Sequence, residues 1–232
     1  MKKLYLMVCF CIFSANTFAD SVFSGPYIGL DLGYASSTDE AYQINPPSTE
    51  PNGEIWKTKP KGALLGLSVG YNKVYDNNLL LGINLNIDGR SVKNTSVPYV
   101  YGVPSVNFPI ETKSKLALSV MPKLGYLVDG GSTLIFITAG YQIAKIERKF
   151  TNNDWNNGAS DSSSAWQGGW AAGLGLEKII HKNITANIEY RYANLGNYDF
   201  KVGALNNEPL GTWVNKQSYK EQSVRLGLNY HF

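Results

Sequence analysis

Apolar and polar residues alternate with a period of two in eight stretches of this chain. The stretches are 25–35, 62–72, 78–88, 115–126, 133–145, 165–178, 184–192 and 223–232. In the last of them Val224, Leu226, Leu228, Tyr230 and Phe232 occupy every second position. Successive side chains of a strand point to opposite faces, so each stretch predicts a β-strand with one apolar face and one polar face.

The segments between these predicted strands alternate in length. The long segments are 36–61, 89–114, 146–165 and 194–219, and the short ones are 73–77, 128–132 and 179–183. The long segments are polar and rich in Asn, Ser, Pro and Gly, whereas the short ones have turn residues such as the Asp-Gly-Gly run at 129–131. This rhythm predicts consecutive hairpins with tight turns at one end and long loops at the other.

The polar faces of the predicted strands carry small residues and isolated charges. A soluble β-sandwich buries its apolar faces and has no need of so many glycines on the faces that meet water. A small membrane barrel turns its apolar faces to lipid and its polar faces into a narrow interior. The sequence therefore predicts an all-β, eight-stranded antiparallel transmembrane β-barrel. The charges predicted to point into it are Asp31, Asp88, Lys123, Glu177, Glu189, Arg191 and Arg225.

Aromatic residues mark the ends of the predicted strands. Those near the short turns are Tyr71, Tyr126, Tyr230 and Phe232, and those nearer the long loops are Tyr34, Tyr141, Trp166, Tyr190 and Tyr192. Two aromatic belts at the two membrane interfaces are typical of such barrels. The last strand is expected to pair with the first, which leaves no unpaired edge in lipid.

The first residues have the layout of a secretory signal peptide. Lys2 and Lys3 precede an apolar run over 4–13, and small and polar residues follow as far as Ala19. The run is too short for a membrane anchor helix, which takes about 20 apolar residues. We expect 1–19 to be a cleaved signal peptide and 20–232 to be the barrel domain.

Removal of the signal peptide changes the chemistry available to the chain. Both cysteines, Cys9 and Cys11, lie within it, so the mature protein would have neither a disulfide nor a cysteine-bound metal. Losing the two lysines also lowers the formal net charge of +3 by two, which leaves no basic field for nucleic acid.

The chain resembles the small outer-membrane β-barrel proteins of Gram-negative bacteria, the OmpA-like and porin-family surface proteins. The resemblance rests on "GPYIGLDLGY" near the start, "MPKLGYLVDGG", "IEYRYANLG" and the terminal "LGLNYHF". It implies that Leu228, Tyr230 and Phe232 form the signal read by the outer-membrane insertion machinery. It also implies a location in the cell outer membrane, among its lipids and lipopolysaccharide.

The candidate chemistry lies in the interior charges, the histidines and one loop. The interior charges predict either a polar plug or, alternatively, a gated narrow pore, and an eight-stranded barrel is only just wide enough for side chains to fill it. Both histidines, His181 and His231, map to the end with the short turns, so neither suits an outer-rim catalytic site. We expect no enzyme activity, no metal site and no cofactor.

The segment 97–110 is aromatic and proline-rich for a predicted loop. Its Tyr99, Tyr101 and Phe108 could form a patch for haem, lipopolysaccharide or a host protein, although self-packing of a long loop or an extension of the strands is the simpler interpretation. The sequence predicts a structural surface protein with an adhesin-like or antigenic role through its outer loops. A narrow porin for small solutes is the alternative, and ligand capture by 97–110 is a weaker one.

Overall fold

The computed structural model describes residues 21–44, 51–97, 99–100, 103–104, 106–107, 109–153, 159–202 and 213–232. The predicted signal peptide at 1–19 lies outside the described residues and stays a prediction. Within the described residues, no helix is long and apolar enough to cross a membrane.

Eight long strands form one closed antiparallel ring. They are β1 (Gly25–Ile44), β3 (Lys61–Val74), β4 (Leu79–Ser96), β7 (Ile110–Val128), β8 (Thr133–Asn152), β9 (Ala159–His181), β10 (Ile184–Val202) and β11 (Trp213–His231). The short strands β2 (Pro51–Thr58), β5 (Tyr99–Val100) and β6 (Val103–Pro104) lie beside the upper part of β1. The last strand, β11, pairs with β1 and closes the ring, so the predicted all-β, eight-stranded barrel is confirmed.

The alternation of the sequence sorts residues between the outside and the inside of the ring. Along β1, Leu30 and Leu32 are 48% and 61% exposed on the outer face, whereas Asp31 between them is 8% exposed and points inward. The same arrangement recurs around the ring, where leucines, isoleucines and valines form a continuous exposed belt. An apolar exterior around a polar interior is the inverse of a soluble fold, and it shows that this wall contacts lipid.

Tight turns join the strands at one end of the barrel. The β3–β4 turn has Asn78 at φ 64°, and the β7–β8 turn is a single 3-10 turn over Asp129–Gly131 with Gly130 at φ 65°. Left-handed backbone of this kind favours asparagine and glycine, which are the residues found at both positions. In bacterial barrels, short turns face the periplasm and long loops face the outside.

The other end of the barrel differs from the sequence prediction. The segments expected to be long loops continue as paired strands: β1 and β11, for example, stay in register from Tyr27 opposite His231 to Ile44 opposite Val214. The expectation of loops over 36–61, 89–114, 146–165 and 194–219 is therefore wrong for much of their length. Outward residues above the lipid are polar, so hydrophobic alternation disappears there although the strands do not end.

The aromatic belts lie where the sequence predicts them. Tyr71, Tyr126, Tyr230 and Phe232 are exposed on the outer face towards the end with the tight turns. Tyr34, Tyr141, Trp166 and Tyr190 are exposed on the outer face towards the other end, and Trp170 joins them. Amphipathic rings of this kind anchor a barrel at the two membrane interfaces.

Candidate functional site

The interior of the barrel holds the seven charges singled out from the sequence. Asp31, Asp88, Lys123, Glu177, Glu189, Arg191 and Arg225 all point inward and are at most 8% exposed. Four further buried charges line the interior nearer the outer end: Asp39, Arg90, Arg148 and Glu221. Asp39, Arg90 and Arg148 lie in segments predicted to be loops, and Glu221 lies just before the predicted last strand, so none of the four was predicted to point inward. Their spacing of two from other inward residues, such as Ser37 beside Asp39, is the signal that could have found them.

At the periplasmic end the interior charges centre on Glu177. Lys123 Nζ lies 3.6 Å from Glu177 Oε2, and it donates a hydrogen bond of 3.2 Å to Tyr27 Oη. Thr185 and Asn229 donate to Glu177 Oε1 at 2.5 and 2.7 Å. Because a buried charge is stable only with partners, this set fixes four strands of the wall to one carboxylate.

Two ion pairs fill the middle of the barrel. Arg225 of β11 donates from Nη1 and Nη2 to the two carboxylate oxygens of Asp88 on β4, both at 2.7 Å. Arg191 donates to Glu189 two residues away on β10, at 3.0 and 3.2 Å, and to Ser119 Oγ at 3.1 Å. The bidentate geometry suits the planar guanidinium group. These contacts tie together strands that are not neighbours in the ring.

Asp31 lies beside these pairs but makes no ion pair with the described part of the chain. It lines an interior cavity of about 10 Å³ together with Ser68, Asn84 and Asn187. That volume is about what one water molecule needs. The cavity is too small to form a path for solutes.

Nearer the outer end the interior closes again. Arg90 pairs with Glu221 and donates to Ser114 Oγ at 3.1 Å, and Arg148 donates from Nε and Nη2 to Asp39, both at 2.8 Å.

Apolar side chains pack at both ends of the charged interior. Phe23, Leu80, Leu127, Leu134 and Phe136 pack at the periplasmic end, and Ala41, Trp56 and Ile110 pack at the outer end. Among the described residues, charged and apolar side chains thus follow one another inside the barrel from its periplasmic end to its outer end.

The remaining predicted residues have different surroundings. Leu228, Tyr230 and Phe232 all point outward and are 52%, 45% and 66% exposed, and the last two rings contact each other with centroids 5.1 Å apart. Tyr99 is exposed on β5, which pairs with β2. Tyr101 and Phe108 lie outside the described residues, so the loop patch stays a prediction.

The histidines do not form a catalytic arrangement at the outer rim. His181 ends β9 and is exposed at the periplasmic side, whereas His231 is buried with Nε2 3.2 Å from Glu177 Oε1. Among the described residues, no three His, Cys, Asp or Glu side chains are grouped so as to hold a metal ion.

The family assignment follows from a match that spans nearly the whole chain. Residues 6–232 match the family model described as the outer membrane protein beta-barrel domain. The chain belongs to this family. It is an integral β-barrel protein of the cell outer membrane, as the inverted wall already indicates.

Relatives and solved structures agree with this assignment. The 31 kDa outer-membrane immunogenic protein of Brucella melitensis is 28% identical over 212 residues, which cover 90% of this chain and 83% of that protein. OprG of Pseudomonas aeruginosa and the outer-membrane protease OmpT of Escherichia coli are 12% and 11% identical, with TM-scores of 0.56 and 0.54. Each alignment covers 90% of this chain, with 96% of OprG and 97% of OmpT. These two likenesses show the barrel fold.

Proposed function

We propose that this family member is a closed structural barrel that displays its outer end as an antigen or adhesin, and that it is not an enzyme. The observation that carries the proposal is the combination of a filled lumen with a wall that continues beyond the lipid belt. Among the described residues, the interior is occupied by buried side chains around a cavity of about 10 Å³, so the exposed outer end is the part of the molecule available for recognition. Relatives named as outer-membrane immunogenic proteins support an antigenic role.

The first prediction concerns the outer end. Replacement of 98–108 by a two-residue Asn-Gly turn joins β4 to β7 directly. Cells that display this variant are expected to lose recognition by serum raised against intact cells, and to adhere to host-cell monolayers no better than cells without the protein. The matched control replaces the periplasmic turn at 75–78, which faces away from the cell surface.

Flow cytometry with the serum and counts of adherent cells are the two measurements. If the variant reaches the outer membrane and keeps full serum binding and full adhesion, the segment 98–108 contributes to neither recognition nor adhesion. Heat-dependent mobility on gels verifies that both variants are folded barrels. The loop patch of Tyr99, Tyr101 and Phe108 stays a prediction that the same variant tests, with haem as a soluble probe.

The second prediction concerns conductance, which separates the closed barrel from the narrow porin. The refolded protein in a planar bilayer is expected to show no stable unitary current steps. Arg191→Ala is expected to stay silent as well, because the Arg225–Asp88 pair and the layers at both ends still fill the lumen. Stable steps in the wild type that shift in the variant would instead make the middle layer a filter.

The third prediction concerns assembly, where we propose that the insertion machinery reads Leu228, Tyr230 and Phe232. Phe232→Ala is expected to lower the amount of folded barrel in the outer membrane of cells but to leave refolding into detergent unchanged. Tyr126→Ala is the control, since Tyr126 is 51% exposed in the same aromatic belt but is far from the terminus. Equal loss in both variants, measured on isolated membranes, would mean that the rings act only as lipid anchors.

A further inference from the structure

The outer face just above the lipid belt is basic on one half of the barrel. Moving outward along each of β3, β4, β7 and β8, the first charged residue on the outer face is a lysine. These residues are Lys61, Lys93, Lys115 and Lys145, and Lys113 follows Lys115 on β7. We call these five residues the lysine rim.

The register of the strands brings the members of the lysine rim side by side. Lys61 pairs with Lys93 across β3 and β4, and Lys93 pairs with Lys113 across β4 and β7. On the next strand, Glu147 lies opposite Lys113, and Lys145 lies opposite Leu116. Like charges placed directly opposite each other destabilise a sheet, because their side chains are only about 5 Å apart. Lys61 and Lys93 have no acidic residue opposite them on a neighbouring strand, so these two ammonium groups call for an anion outside the wall.

The acidic residues nearby do not balance the lysine rim. Glu111 pairs with Lys113 at 2.7 Å, and Glu147 pairs with Lys115 at 2.8 Å. The hydrogen bond from Lys115 lowers the pKa of the Glu147 carboxyl, so this pair stays ionised at neutral pH. Lys61, Lys93 and Lys145 form no ion pair within the described part of the chain.

The opposite half of the barrel has a different outer edge. There the belt ends in aromatic rings, with Trp166 and Trp170 on β9, Tyr190 on β10 and Tyr34 on β1. On β3, β4 and β7 no aromatic residue stands on the outer face at this height. Aromatic rings thus anchor β9, β10 and β1 at the outer interface, whereas β3, β4 and β7 have lysines there, and β11 has Lys220 without a ring.

A lysine of the lysine rim, just above the apolar belt, reaches the headgroups of the outer leaflet. Its methylene stem lies along the apolar wall while its ammonium group stays in the polar layer. Phosphate is the anionic group of a lipid headgroup, and several ammonium groups in one row bind phosphates as point charges. The flat outer wall of a sheet also leaves the acyl chains of such a lipid free to lie against the apolar belt below.

We propose that the lysine rim is a binding site for the phosphorylated glycolipid of the outer leaflet. The phosphates lie along Lys61, Lys93 and Lys113, and the acyl chains lie on the leucines and isoleucines of β3, β4 and β7. The site is separate from the loops that carry the proposed surface function, and binding at one does not require the other. It makes the barrel asymmetric towards its lipid neighbours.

The test compares two triple variants with the same change in charge. Lys61→Gln, Lys93→Gln and Lys113→Gln together remove the row, whereas Lys57→Gln, Lys216→Gln and Lys220→Gln remove three lysines from β2 and β11. Each refolded barrel is titrated with bisphosphorylated lipid A in mixed micelles, and native mass spectrometry counts the lipid retained. The row variant is expected to bind about tenfold more weakly or worse, and the control within about twofold of wild type.

A second ligand separates phosphate recognition from apolar contact. Lipid A without its phosphates is expected to bind the wild type no better than bisphosphorylated lipid A binds the row variant. Equal binding of the two lipids by the wild type, or equal losses in the two triple variants, would overturn the proposal. Lys93→Gln alone removes the central residue of the row and serves if the triple variant does not refold, with a smaller loss expected in the same assay.

Discussion

Replacement of Arg225 by methionine is expected to lower the free energy of unfolding by about 3–5 kcal/mol. The Arg225 and Asp88 side chains are 2% and 1% exposed, and two hydrogen bonds of 2.7 Å join them across the lumen. Methionine fills much of the space but leaves the Asp88 carboxylate buried without its cation. The loss arises from that stranded charge more than from the lost attraction between the two groups.

Two further variants isolate this cause. Removing both charges, with Arg225→Met and Asp88→Leu together, is expected to recover most of the stability, since a buried pair replaced by apolar groups is often neutral. Lys57→Met breaks the pair with Glu40, whose side chains are about half exposed, and is expected to cost less than about 1 kcal/mol. Urea unfolding in lipid vesicles, followed by tryptophan fluorescence, measures all three. A double variant as unstable as Arg225→Met would contradict the explanation.

Gly140→Ala is expected to cost about 3 kcal/mol or more, or to prevent folding. A Cβ atom at position 140 would overlap the backbone carbonyl oxygen of Val120 and lie 3.0 Å from Met121 Cα. Both neighbours are backbone atoms of β7, so they can move only if the β7–β8 ladder opens. Glycine is therefore required at this position for the close approach of two strands.

Gly89→Ala is the matched control for Gly140→Ala. Gly89 also lies in a long strand, but a Cβ atom there would meet only the carbonyl oxygen of Leu65, at an ordinary 3.7 Å. Its effect is expected to stay within about 0.5 kcal/mol. The same urea titration compares the two variants, and a large loss at Gly89 would show that alanine is disfavoured throughout this wall for a reason other than overlap.

The sequence predicted the wall of the barrel well because two-residue alternation is a strong local signal. It placed Asp31 inward and Leu30 outward from their positions alone, and the structure agrees. Glu189 and Arg191 are hydrogen-bonded, a contact that their spacing of two on one strand makes easy to anticipate. The local pattern was sufficient to predict the direction of each side chain wherever one face of a strand met lipid and the other met the polar interior.

The pairing of interior charges and of outer lysines depends on the register and stagger of strands that are distant in sequence. A local sequence pattern does not reveal either quantity. Arg225 pairs with Asp88 across the lumen because of the relative stagger of β11 and β4, and no spacing along the chain reveals that stagger. Asp39 and Arg148 were not predicted to point inward, because both faces of their strands are polar above the lipid and the alternation of hydrophobicity vanishes there. The row Lys61–Lys93 likewise appears only once the register of β3 and β4 is known.

The length of the strands sets how far the outer tips stand from the membrane. Strand β9 has 23 residues, of which about 9–11 are enough to cross the lipid. At about 3.4 Å per residue and the usual tilt, the part of β9 between Ala159 and the outer aromatic belt at Trp166 and Trp170 raises the outer strand ends by roughly 20–30 Å. A wall of that height separates the outer strand ends from the part embedded in lipid, so substitutions at the strand ends are expected to leave the membrane-spanning wall undisturbed.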